Sequence, residues 1–200
     1  MKHINMDKIK HRVSQAKGRQ ALYLALFFSA IGILTACDTT DRLQDDKTPP
    51  LLAVANVDVT RYVGTWYQQS LIPNKFQAVC ASDTRATYIR DGDGLIVVNQ
   101  CRKADGQIEK AQGVAKIVEG SNNAKLRVSF FRPFYGDYWV LALDPSYNWV
   151  LVGEPKREFG WIMSRQVKLD DATLNQILDR AVALGYERTV FKRSLQVAGN

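Results

Sequence analysis

Thiols are scarce in this 200-residue chain, three in all, and their placement is uneven. Cys37 ends the run Leu34-Thr35-Ala36-Cys37, where small residues close an apolar stretch, whereas Cys80 and Cys101 lie far downstream. A cysteine in the first setting is placed to accept an acyl chain. A pair in the second can oxidise to a disulfide or stay as two buried free thiols. Both histidines, His3 and His11, precede Cys37. Downstream of it no Ser-His-Asp or Cys-His mechanism can be built, and no His-ligated zinc or haem site. Carboxylate, tyrosine and lysine chemistry remains. One cluster that joins such groups to aromatic side chains is Phe134-Tyr135-Gly136-Asp137-Tyr138-Trp139. Its tyrosines combine an apolar body with a hydroxyl, a pairing suited to a lipid's chain and polar end.

The segment before Cys37 explains its setting. A basic leader with Lys8, Lys10, Arg12, Lys17 and Arg19 precedes an apolar run from Ala21 to Leu34. As a helix, fourteen residues span roughly 21 Å, short of a hydrocarbon core of roughly 30 Å. Charged leader, short apolar run and small residues describe an export signal over residues 1–36. With the cysteine at its end, the stretch resembles a bacterial lipoprotein signal, cleaved before an acylated Cys37. Asp38 resembles an inner-membrane retention signal, a rule that varies between bacteria.

Cleavage changes the charge arithmetic. Of 27 basic and 20 acidic residues, the leader carries six and one, so a chain starting at Cys37 is close to neutral. Nucleic-acid binding loses its main support. With Cys37 acylated, Cys80 and Cys101 remain as a single pair in an exported protein, where disulfides persist. Residues 37–56 are polar and charged and contain Pro49-Pro50, so they read as a tether with a typical reach of about 25 Å.

From Val57 to about Phe191 short runs rich in Val, Ile, Tyr, Phe and Trp predict strands near 65–72, 80–90, 94–102, 107–118, 124–131, 137–144, 148–154, 159–166 and 187–191. Turn residues separate them, as in Asp91-Gly92-Asp93-Gly94 and Asp144-Pro145-Ser146-Tyr147-Asn148. The first of these has the flavour of a calcium loop but lacks the further ligands, so it reads as a hairpin turn and no metal is expected. Short connections imply antiparallel neighbours in an up-and-down meander. Residues 170–184 predict one helix, with Leu174, Ile177, Leu178, Ala181 and Val182 on its apolar stripe, an Asp cap and Gly185 as its stop. In a four-residue hairpin loop bounded by Arg90 and Leu95 the two cysteines are out of register. They face each other only through a slip, a bulge, or Cys80 lying before the strand.

Three ordered stretches carry a family resemblance. Gly64-Thr65-Trp66-Tyr67 resembles the Gly-x-Trp signature of the lipocalins. Leu143-Asp144-Pro145-Ser146-Tyr147 resembles their second motif, and Trp161-Ile162-Met163-Ser164-Arg165 the third. With Phe130-Phe131-Arg132-Pro133 and the lipoprotein cysteine, the likeness narrows to the outer-membrane type of bacterial lipocalin. It implies an all-β fold over residues 57–195, with 196–200 as a tail. That fold is an eight-stranded antiparallel up-and-down barrel, a calyx, with one C-terminal helix packed outside. Gly64, Trp66, Asp144, Tyr147 and Arg165 are then structural, with Arg165 over the Trp66 face at the closed end.

The same resemblance implies a fatty acid or lysophospholipid ligand, with no cofactor, and a role in envelope lipid storage, transport or repair. It places the chain, as monomer or homodimer, on the periplasmic side of the outer membrane, whereas Asp38 points to the inner one. Expected ligand contacts are Tyr135, Tyr138, Trp139, Phe134 and Arg132, with Phe130, Tyr88 and Val97 as further wall positions; Arg127 would join them if it points inward. Each depends on register, because a one-residue slip turns a side chain outward. Lys156, Arg157, Lys192 and Arg193 read as solvated surface, with attraction to a membrane as the lesser reading. Two alternatives stay open. One is a lipocalin-scaffold enzyme of isomerase or de-epoxidase type, pairing Tyr138 with Asp137. The other is an envelope module whose interior is packed shut.

Overall fold

In the computed structural model, residues 49–197 are described. The expected export signal at 1–36 and the expected acylation site Cys37 lie outside them. Eight strands follow one another: β1 (Gly64–Leu71), β2 (Ser82–Asp91), β3 (Gly94–Arg102), β4 (Ile108–Ile117), β5 (Lys125–Phe131), β6 (Phe134–Leu143), β7 (Trp149–Gly153) and β8 (Gly160–Ser164). Each pairs antiparallel with the next, and β1 pairs with both β2 and β8, so the sheet closes on itself. A short helix α1 (Val59–Tyr62) precedes β1, and α2 (Asp171–Ala183) follows β8.

Alternation along the strands separates two apolar clusters. Inside the barrel lie Trp66, Tyr88, Val97, Leu126, Tyr138, Val140 and Val152, among others. Outside, Leu141, Leu151 and Ile162 pack under Leu174, Ile177 and Ala181 of α2. Asp170 caps this helix, accepting from Thr173 N–H at 2.8 Å, and Gly185 ends it at a φ of 87° that glycine tolerates. Val182, expected on the apolar stripe, is instead exposed at the edge of the contact.

The wall carries a splice. β1 pairs with β2 only over Gly64–Tyr67. Beyond that a two-residue strand β9 (Lys192–Arg193) pairs with Ser70 and Leu71. Ser194 N–H then donates to Gln69 O, and Asp83 N–H to Leu195 O. The Gln196 amide donates to both Gln68 O and Thr84 O at 2.8 and 2.9 Å, so the C-terminal segment fills the gap between the two strands. Gln196 and Val197, expected to be tail, therefore belong to the wall.

Two further expectations change. The strand expected at 187–191 is a 3-10 turn, Arg188–Val190, leading into β9. Tyr186 and Phe191 bury their rings together at 5.7 Å, which turns the backbone before it reaches a strand partner. Residues 49–56, expected to belong to the tether, are docked on the barrel. Leu51 is buried in the outer cluster, and Val54 N–H donates to Val140 O at 2.8 Å. β6 also starts earlier than expected, because Phe131 pairs with Phe134 across the tight Arg132-Pro133 turn.

Cys80 and Cys101 form a disulfide with a Cα–Cα distance of 5.6 Å. Cys80 lies before β2, and the β2–β3 register shifts between Ser82 and Arg85, so two of the devices the misalignment called for are present. The Asp91–Gly94 segment is a tight hairpin with Gly92 at a φ of 53°. Closing a loop of about 22 residues contributes about 3 kcal/mol in the chain-entropy model. Replacing both cysteines by serine is expected to lower unfolding stability by about that amount, measured by urea denaturation at neutral pH.

Candidate functional site

The barrel has two unlike ends. At the closed end α1 crosses the floor, its start capped by Asp58, which accepts from Thr60 N–H. Trp66 is fully buried and donates its indole N–H to Tyr62 O at 2.8 Å. The Arg165 guanidinium lies over the Trp66 ring, 3.8 Å from its centre. It also donates to four backbone carbonyls, those of Arg61, Tyr62, Val63 and Thr65, at 2.7–3.0 Å. One cation thereby satisfies the end of α1 and the start of β1 together. Gly64 holds a φ of 97° between them, and a Cβ there would meet Arg165 Nη1 at 3.3 Å. Tyr147 reinforces the same end: its hydroxyl accepts from Asp58 N–H, and the Arg61 guanidinium stacks on its ring. Asp144 Oδ2 accepts from Ser146 and Asn148 N–H, which shapes the β6–β7 turn.

Just above this floor three tyrosine hydroxyls meet in the interior. Tyr138 Oη lies 2.6 Å from Tyr62 Oη and 2.8 Å from Tyr88 Oη. Three O–H groups sharing two contacts leave one proton without an acceptor inside the trio. Burial pushes the pKa of all three well above the ordinary tyrosine value, so the trio is neutral and hydrogen-bonding across the physiological range. Tyr62 was not singled out from sequence; Asp58 as an N-cap ahead of a short apolar turn was the available signal.

At the opposite end no such cap is formed among the described residues, and β4 runs on past its pairing with β5. Ala111 pairs with Asn99, itself opposite the interior Ala86, so it faces inward, yet it is exposed. Phe130 is half exposed near the mouth, its ring crowding Gly113. Gln77, on a 3-10 turn (Lys75–Gln77) beside the mouth, donates to Gln68 Oε1 and accepts from the Trp161 indole N–H.

The expected ligand residues divide by strand parity. Tyr88 and Val97 are interior neighbours across β2 and β3, and Tyr138 is interior as well. Tyr135, Asp137 and Trp139 point the other way along β6. Trp139 packs in the outer cluster with Lys125 Nζ 3.8 Å above its ring. Tyr135 lines a shallow outer groove with Lys116 and Arg127. Arg127 also faces out, ion-paired with Asp137 at 3.5 Å. The expectation of calyx contacts for Tyr135 and Trp139 is therefore corrected: Gly136, Tyr138 and Val140 take the inward positions. Arg132 and Phe134 stand at the rim, Phe134 stacked on Phe131 with centroids 6.2 Å apart.

An eight-stranded barrel closed on itself, capped at one end by an arginine over a tryptophan and flanked by one helix, defines a calyx-type fold. The lipocalin-like domain family matches residues 57–196, and the chain belongs to that family. It is 38% identical to temperature-induced lipocalin-1 of Arabidopsis thaliana, over 67% of this chain and 76% of that protein. To the outer membrane lipoprotein Blc of Escherichia coli K12 it is 36% identical, over 72% of this chain and 83% of the relative. Among solved structures, insecticyanin from the tobacco hornworm Manduca sexta superimposes with a TM-score of 0.61. That match has 20% identity and covers 76% of this chain and 86% of the other.

The tyrosine trio makes a pH-dependence testable. A pKa raised on folding leaves its stability contribution fully present below about pH 10 and removes it as pH climbs further. Urea denaturation should thus show stability falling above about pH 10. Tyr88→Phe should flatten that fall, since it removes one of the three groups.

Proposed function

We propose that this lipocalin binds a single-chain lipid, a fatty acid or lysophospholipid, in its calyx while tethered to a bacterial envelope membrane through acylated Cys37. The observation that carries the reading is the combination of a sealed floor, an apolar inner wall and an exposed inward-facing Ala111 at the mouth. Each methylene buried along that wall contributes about 0.8 kcal/mol. The polar end then lies near the mouth, beside the Arg132 turn. Relatives named as outer membrane lipoproteins support an envelope location, and a lipid ligand held there would suit envelope lipid storage, transport or repair.

The enzyme alternative loses its pair. Tyr138 faces the interior while Asp137 faces solvent and is held by Arg127, so the two cannot act on one substrate. The packed-shut alternative is decided by ligand recovery.

Native protein extracted after purification should yield stoichiometric fatty acid or lysophospholipid by mass spectrometry. Ala111→Trp, which narrows the mouth without touching the floor, should weaken fatty-acid binding by about tenfold or more, given about 1.4 kcal/mol per decade. A delipidated protein that takes up neither lipid would end the reading.

A further inference from the structure

The exposed large apolar side chains are not spread evenly. Phe76, Val79, Ile108, Phe130, Phe131 and Phe134 all stand on the strand ends and turns around the open mouth. Phe131 and Phe76 are 75% and 71% exposed, on the β5–β6 and β1–β2 connections respectively. The other exposed large apolar residues, Leu52, Ile89, Val182, Leu195 and Val197, include no aromatic ring. A ring of aromatic side chains held in water at one end is the signature of an interaction site.

Charge and chain path indicate what covers it. Lys75, Lys110, Arg132 and Lys156 lie among these turns and strand ends, exposed and in no ion pair among the described residues, and they outnumber the exposed acids there that likewise form none, Glu109 and Glu158. A second copy docked mouth to mouth would set these cations against one another, whereas an anionic bilayer surface attracts them. The docked N-terminal segment begins at the same end: Pro49 O accepts from Arg157 Nη2 in the turn between β7 and β8. Eleven residues lie between Cys37 and Pro49, and the twelve steps along that chain reach at most about 40 Å. A lipid on Cys37 therefore keeps the mouth, where the chain emerges, within reach of the bilayer.

We infer that the open rim is a membrane-docking surface, its aromatic side chains entering the interfacial region of an anionic phospholipid bilayer so that the calyx opens towards the lipid. The inference rests on the proposed lipid-binding calyx and names the surface from which it is loaded. Docking removes water from the aromatic rings. It also lets an acyl chain pass from bilayer to barrel without crossing water. The closed end, with its helix and acidic hairpin at Asp91 and Asp93, faces away.

Hydrogen–deuterium exchange of the native protein tests this on vesicles of phosphatidylcholine alone and on vesicles also containing phosphatidylglycerol. On the anionic vesicles, amides of the rim turns at 75–79 and 130–134 should exchange at least about fivefold more slowly, while the turns at 91–94 and 144–148 stay unchanged. Phe76→Ser with Phe131→Ser should abolish that protection and leave fatty-acid affinity in vesicle-free solution intact. Equal exchange at both ends, protection at the closed end or on α2, or protection surviving the double substitution would each overturn the inference. So would rim protection without vesicles that dilutes away with a dimer, which would make a second copy the partner. Fatty-acid affinity of the same preparation judges the calyx reading separately: binding without rim protection removes only the docking, and rim protection without binding removes only the ligand.

Discussion

Arg165 over Trp66 is the contact on which the architecture turns. A barrel must be sealed somewhere, and sealing it with a helix leaves unpaired carbonyls at the helix end. Arg165 meets four such carbonyls while its cationic face lies 3.8 Å from the indole. A lysine could offer the charge but not the planar fork. Burial draws the Arg165 pKa down from its ordinary value, yet a guanidinium stays cationic in proteins, so the lock persists at all working pH values. With the floor fixed, inward and outward directions are set along every strand that leaves it.

The same lock explains why polar chemistry sits deep and aromatic chemistry sits high. Near the floor, Tyr62, Tyr88 and Tyr138 hydrogen-bond to one another in a buried setting, where an isolated hydroxyl would be costly. At the mouth no contact among the described residues closes the wall in that way. The rim is made of turns, stapled by the Cys80–Cys101 disulfide and by the C-terminal segment that bridges β1 and β2. These ties let the rim hold exposed aromatic residues without the barrel opening along its seam.

Much of this was legible in the chain because strand period, turn residues and three spaced motifs agree with one another. Residues whose role depends on a single step of register were not. Tyr135 and Trp139 share a segment with Tyr138, and composition alone cannot say which of them faces in. The docked segment at 49–56 was not legible because Leu51 and Val54 look sparse beside charged and proline-rich neighbours. Only the assembled barrel offers Val54 a carbonyl on β6 and Leu51 a place beneath α2. The C-terminal splice was hidden for a similar reason: Gln196 makes its contacts through a side-chain amide, which no hydrophobic pattern reports.

The central claim is that one end of this barrel is sealed and the other receives a lipid chain, methyl end first. Stearic acids carrying a nitroxide either near the carboxyl or near the methyl end test it directly through paramagnetic broadening of methyl resonances. The account predicts that the methyl-end label broadens Val97 and Leu126 while the carboxyl-end label broadens Ala111. Broadening confined to the outer face beneath α2, or the same residues broadened by both labels, would contradict it.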